Sequence, residues 1–249
     1  MSESTDFVES QQPQLQPQPN VIELSGIHKR YLLKHALRGI DLQIKRGTIV
    51  GLLGPNGSGK STLLKMLAGL IYPTSGTILV NGREPDVRNK AHIAYLPEID
   101  NLYGWMTVKE TLDFISGFYA DWEPDKATAM TAALELDPKM KVRNLSKGLR
   151  ARLKLIAALS RGVPLVLLDE PFSGIDPASR GRIIRSIVSE FRADEQTIVL
   201  STHSVKESEP MFDEVIFLKD GKVHVHDTAE NLRAEYGCSL ENLWEKVYA

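Results

Sequence analysis

The stretch GLLGPNGSGKSTLLKMLAGL, which begins at Gly51, constrains this chain more than any other. An apolar run stops at a cluster of glycines, then a lysine and two hydroxyl residues open a second apolar run. Gly54, Gly59, Lys60 and Ser61 occupy the fixed places of the pattern G-x-x-x-x-G-K-[ST]. Glycine carries no Cβ, so consecutive backbone N–H groups can wrap an anion there. A helix starting near Lys60 would aim its unpaired N–H groups and positive dipole end at the same anion. Lys60 adds a charge for the β- and γ-phosphates of a nucleotide, and the Ser61 hydroxyl can ligate Mg²⁺. The flanks agree with this reading. TIVGLL is β-branched and apolar like a buried strand, and STLLKMLAGL spaces its apolar residues as a helix does before a glycine. The alternative, a flexible strand-to-helix turn matching by chance, is rare in a chain of this length.

The 249 residues suffice for one large α/β domain or two small ones. The net charge is −2 and charged residues make up 25%, so nothing global points to nucleic acid or an anionic membrane surface. The one cysteine, Cys238, excludes an internal disulfide and fits a reducing compartment. No apolar stretch approaches the roughly 18–20 residues of a membrane span. Residues 1–20, MSESTDFVESQQPQLQPQPN, lack the basic and apolar regions of a secretory signal, and their Gln, Pro and Ser content predicts a disordered tail. These features predict a soluble, cytosolic protein.

Strand patterns dominate from Val21 to about Gly51, in VIEL, LRGIDLQI and TIVGLL, and continue in TILVNG and AHIAYLP. Residues 107–150 turn helical: Thr107 and Glu110 form a capping box, and Pro124 suits the first turn of a helix. From PLVLLDE onward the chain alternates strand, helix (about 177–191), strand TIVLSTH, helix, and a hairpin EVIFLKDGKVHVH turning at Asp-Gly. Two short helices separated by Gly237 end the chain. Alternation of this kind implies a largely parallel sheet covered on both faces, with the middle helical stretch inserted into it.

Three further features carry chemistry. The buried strand LVLLDEP ends in two carboxylates, Asp169 and Glu170, which need partners if buried. Ligands of parallel sheets collect at the carboxyl ends of strands, so Asp169 suits a Mg²⁺ shell and Glu170 suits polarising a water. The competing reading is a helix-capping or surface acid pair. Ser146 and Gly148 precede the amphipathic segment LRARLKLIAALS, a second helix start that is either an ordinary N-cap or another anion site. His203 ends a strand at the same sheet edge, as a structural or a functional residue. Tyr31, between two strand patterns, can stack on an adenine or simply pack.

In order, the phosphate loop at 54–62, YLPE at 95–98, LSKG at 145–148, LLDEP at 167–171, SGID at 173–176 and His203 resemble the ATP-binding subunit of an ABC transporter, in particular a bacterial exporter. The resemblance covers residues 21 to about 230. It implies an α/β fold with a P-loop NTPase parallel-sheet core, an N-terminal antiparallel β subdomain, and an inserted helical subdomain at about 99–150. The ATPase domain would span 21–236, with a C-terminal helix at 237–249. Tyr31 is assigned to adenine stacking, and Gly54, Pro55, Asn56, Gly57, Ser58, Gly59, Lys60, Ser61 and Thr62 to the phosphates of ATP. Ser61, Glu98 and Asp169 would surround Mg²⁺. Glu170 would be the catalytic base, and His203 would hold the γ-phosphate and water. Ser146 and Gly148 would contact the nucleotide of a second subunit, with Asp176 at the seam. Two anion-binding helix ends on one chain would then serve two ATPs in a head-to-tail dimer.

Two departures stand out. Glu98 replaces a glutamine, adding a charge and losing a donor. LSKGLR replaces LSGGQ, with Lys147 and Leu149 at two positions. The expected function is an ATPase that powers a separate integral membrane permease, an exporter, from the cytoplasmic face of the membrane. Its partners would be that permease and a second ATPase subunit, identical or a close paralogue. The aromatics Tyr103, Trp105, Phe114, Phe118, Tyr119 and Trp122 are the expected docking surface, with core packing as the other account. A non-transport ABC ATPase regulating a soluble partner is the competing class. A nucleotide kinase would leave LSKG and SGID unexplained.

Overall fold

The computed structural model describes residues 20–193 and 195–248. The tail predicted for residues 1–20 therefore lies outside the described residues except for Asn20. That residue already pairs with Lys45, so the first strand starts one position before the expected boundary. The chain opens with β1 (Asn20–Tyr31) and β2 (Lys34–Lys45), followed by β3 (Ile49–Leu53), α1 (Lys60–Leu67) and β4 (Ser75–Val80). A short α2 (Val87–Lys90) leads to β5 (Ile93–Leu96). The inserted region holds α3 (Val108–Ser116) and α4 (Pro124–Ala133), and α5 (Lys147–Leu159) returns the chain to the sheet. Then come β6 (Leu165–Asp169), α6 (Pro177–Glu190), β7 (Thr197–Thr202), α7 (Val205–Ser208), β8 (Glu214–Lys219) and β9 (Lys222–Thr228). The described chain ends with α8 (Ala229–Tyr236) and α9 (Leu240–Tyr248).

Two sheets result. β2, β1 and β4 form an antiparallel sheet, and the larger sheet has the order β5-β6-β7-β3-β8-β9. All its neighbours are parallel except β9, which returns from β8 through the Asp220–Gly221 turn, both residues at positive φ. The central strands are apolar on both faces because both are covered. In β3, Ile49 and Leu53 face one core and Val50 and Leu52 the other; β6 divides in the same way. One core joins the sheet to the helical insertion, α6, α8 and α9; the other joins it to α1 and the antiparallel sheet.

Local signals explain the helix ends. Thr107 and Glu110 complete the capping box of α3, and Pro124 begins α4. The helix expected after TIVLSTH is only the four residues of α7, continued by a 3₁₀ turn containing Pro210, which removes a backbone donor. The last helix does not hang off the domain. Trp244 and Tyr248 of α9 stack with Phe217 of β8, and the Tyr248 hydroxyl donates to the carbonyls of Leu53 (3.3 Å) and Leu218 (3.0 Å).

Candidate functional site

Strand register brings the site together. Leu53 of β3 lies opposite Thr202 of β7, and Asp169 of β6 lies opposite Ser201 of the same strand. The next residues in each case, Gly54, His203 and Glu170, therefore leave the sheet at one carboxyl edge. A cleft of about 390 Å³ opens there, lined by Tyr31, Asn56, Lys60, Ser61, Thr62, Glu98 and Glu170. Such a volume suits a small organic ligand.

The loop from Gly54 to Gly59 is built for close approach. A Cβ at Gly54 would lie 2.4 Å from the Leu218 carbonyl oxygen, and Gly59 caps α1 with φ 115°. Neither position accepts a side chain without displacing backbone. Pro55, Asn56 and Gly57 are exposed on the rim, while Ser58 is buried with its hydroxyl unpaired. No side chain caps α1, so its first N–H groups remain for an anion.

Lys60 is only 5% exposed and Glu170 only 8%, so their charges must answer one another. Lys60 Nζ donates to the carbonyls of Gly54 (2.6 Å) and Pro55 (3.3 Å), and lies 3.3 Å from Glu170 Oε1. His203 Nδ1 lies 2.9 Å from Glu170 Oε2, which leaves the other ring nitrogen of the exposed imidazole for a ligand. Glu170 has φ 48°, a left-handed conformation that is costly for a side chain of this size. The strand stops at Asp169, and the chain kinks at Glu170 instead of continuing extended. The two carboxylates reach adjacent residues, Lys60 and Ser61.

Asp169 is held by three hydroxyls. Ser61 Oγ (3.0 Å) and Ser201 Oγ (2.8 Å) donate to Oδ1, and Tyr95 OH (3.3 Å) donates to Oδ2. Ser201 Oγ also accepts the backbone N–H of Glu170 at 3.0 Å. Burial first, and the Asp169 charge second, push the Tyr95 hydroxyl well above the ordinary tyrosine range, so it stays a donor. Among the described residues no group of three or more His, Cys, Asp or Glu side chains gathers around a point. The donor set of Ser61, Asp169 and Glu98 therefore fits a cation carried mainly by phosphates and water, the usual manner of Mg²⁺.

Sequence reading missed Tyr95, Ser201 and Lys34, which also lines the cleft. Ser201 left a trace, as a hydroxyl inside the apolar run TIVLS. Not every expected residue enters the cleft. Ser146 is exposed and caps α5 by accepting the N–H of Leu149, and Asp176 caps α6 by accepting that of Ser179. Bonds from the Ser179 hydroxyl and N–H hold the Asp176 carboxyl below its usual range. Gly148 packs near Gly174 and Ile175. None of the three lines the cleft; Ser146 and Asp176 are exposed and Gly148 is half-buried. Of the aromatics in the insertion, Tyr103, Trp105, Phe114, Phe118 and Tyr119 are exposed, and Trp122 packs against the core.

A family model described as ABC transporter matches residues 37–173. The ABC transporter ATP-binding protein YtrB of Bacillus subtilis (strain 168) is 32% identical over 87% of this chain and 75% of its own length. The Nod factor export ATP-binding protein I of Burkholderia orbicola (strain AU 1054) is 33% identical over 90% and 76%. The chain thus spans about three quarters of either relative. Among solved structures, an ATP binding subunit of an ABC transporter superposes with a TM-score of 0.81 at 27% identity, covering 92% of this chain and all of that one. A dimeric ATP-binding cassette in a post-hydrolysis state with ADP and Pi superposes with a TM-score of 0.74 at 25% identity, covering 83% and 98%.

Proposed function

Because the chain belongs to the ABC transporter family and is an ATPase of its ATP-binding type, we propose that it powers a separate membrane permease, as the cytoplasmic subunit of an exporter, through ATP-driven head-to-tail dimerisation. One observation carries this reading: Lys60, Glu170 and residues of the phosphate loop line one cleft, with His203 joined to it through Glu170, while Ser146, Gly148 and Asp176 line none of it. Ser146 offers a helix start and a hydroxyl, groups that suit a phosphate, yet the chain's own nucleotide is held elsewhere. A second copy, turned head to tail, supplies the missing nucleotide. The dimeric cassette with ADP and Pi supports this arrangement.

In the proposed site the adenine stacks on Tyr31 and the loop N–H groups hold the phosphates. Lys60 exchanges the Gly54 and Pro55 carbonyls for the β- and γ-phosphates. Glu170 polarises the attacking water, and His203, oriented through its Nδ1 contact to Glu170, holds the γ-phosphate and that water. Ser61, Asp169 and Glu98 would hold Mg²⁺, which neutralises charge between the β- and γ-phosphates when bound. Ser146 and Gly148 of the second copy close the site.

No described helix is long and apolar enough to cross a membrane. The exposed aromatics of the insertion stack on one another, as Tyr103 on Trp105 and Phe114 on Phe118, and form the docking face for it. An export role follows the Nod factor export relative. The test is specific ATPase activity measured against protein concentration. It should rise with concentration to a plateau as dimers form; a constant specific activity in a chain that elutes as a monomer with ATP would overturn the dimeric site.

A further inference from the structure

Lys154 of α5 makes three bonds to one short loop. Its Nζ donates to the carbonyls of Pro97 (2.8 Å), Glu98 (3.0 Å) and Ile99 (3.0 Å), which uses every proton of the ammonium group. The loop follows β5 and takes no part in a sheet, so these bonds are the main fixed contacts of its backbone carbonyls. It also acts as a partition. Glu98 lines the nucleotide cleft, whereas Pro97 and Lys154 line a separate cavity of about 310 Å³ with Tyr103 and Phe114.

Glu98 brings a negative charge to a cleft proposed to receive a polyphosphate. No ion pair joins its carboxylate to a cation among the described residues, so it is free to turn into the cleft. Lys154 is the cation fixed to its backbone. Burial holds the Lys154 ammonium below the usual lysine range, against the opposing pull of the Asp100, Glu98 and Asp169 carboxylates. Asp100 is already engaged by Arg150 at 2.7 Å.

We propose that Lys154 is a positioning residue that holds Glu98 at the nucleotide and offsets its charge, so that the two residues act on ATP binding as a pair. This inference rests on the placement of Glu98 beside the nucleotide in the functional reading. A merely structural lysine would matter equally whatever occupied position 98. A charge-offsetting lysine matters mainly when that position is a carboxylate.

The experiment is a double-mutant cycle on the full chain, reading the ATP dissociation constant by calorimetry in EDTA, where hydrolysis does not intervene. Lys154→Met should weaken ATP binding on the order of tenfold with Glu98 present, because the carboxylate then repels the phosphates unopposed. In the Glu98→Gln background the same change should cost about twofold or less. Lys154→Gln, which keeps a short amide donor without the charge, gives a second uncharged variant should Met not fold, and should show the same dependence on residue 98. Equal losses in both backgrounds would overturn the pairing while leaving the functional reading in place. An ATP affinity unchanged in Glu98→Gln alone would instead remove Glu98 from the nucleotide site.

Discussion

Glu170 holds His203 with one carboxylate oxygen and Lys60 with the other, at 2.9 Å and 3.3 Å. A single buried carboxylate thus bridges the cation at the start of α1 and the imidazole at the end of β7. In the proposed mechanism, phosphate takes Lys60 and Glu170 is released towards water while His203 keeps it oriented.

Glu170→Gln keeps the size and polarity of the side chain but removes its basic lone pairs. Hydrolysis should fall by a factor on the order of 10²–10⁴, the usual contribution of a general base. ATP binding should survive, and unhydrolysed ATP should hold two copies together. Gel filtration with and without ATP and Mg²⁺ checks this: a dimer only with ATP is expected. Wild-type turnover with a nucleotide-independent elution volume would remove Glu170 from the mechanism.

Lys60→Ala removes the only buried cation that lines the cleft among the described residues. ATP affinity should drop about 10- to 100-fold, the range expected for losing charge-assisted hydrogen bonds. Hydrolysis should be lost with it. Undiminished turnover at saturating ATP would contradict the assignment.

Ser146→Arg places a bulky cation at an exposed position, away from the chain's own cleft. Nucleotide affinity of the monomer should be nearly intact while hydrolysis stops. Mixed with Lys60→Ala, it should regain activity, because one of the two sites in each mixed dimer is then whole. Loss of ATP binding by the isolated Ser146→Arg monomer would show that Ser146 acts within its own subunit.

Tyr248 is tied to the carbonyl that precedes the phosphate loop, and burial raises its hydroxyl above the ordinary tyrosine range. The folded chain therefore keeps a proton that the unfolded chain releases above pH about 10. Stability from this group is complete below that pH and is lost as pH climbs beyond it. Tyr248→Phe should cost about 1 kcal/mol at neutral pH and flatten the alkaline decline. Urea unfolding at pH 7 to 11 measures both, and an unchanged alkaline slope would count against a buried, protonated hydroxyl.

Much of this molecule was legible along the chain because it depends on neighbours in sequence. Gly54 and Gly59 encode a loop that excludes side chains, and Lys60 and Ser61 open the helix behind it, whatever surrounds them. The capping box of Thr107 and Glu110, the cap at Ser146 and the Asp220–Gly221 hairpin are likewise local arrangements of backbone and side chain. Alternation of apolar strands and amphipathic helices sufficed for the two-faced parallel sheet.

Only the tertiary structure decided which distant residues share the site. Tyr95 and Ser201 reach Asp169 because β5 and β7 flank β6 in a register that no local pattern encodes. The kink at Glu170 follows from where the strand ends against that same serine. Lys154 looks like any polar residue on a helix until α5 packs beside the loop after β5 and all three of its protons find carbonyls. Local geometry is set by dihedral preferences and short-range hydrogen bonds, which a sequence states directly. Long-range partnership depends on how whole strands and helices stack, and one residue of slip would replace every one of these partners.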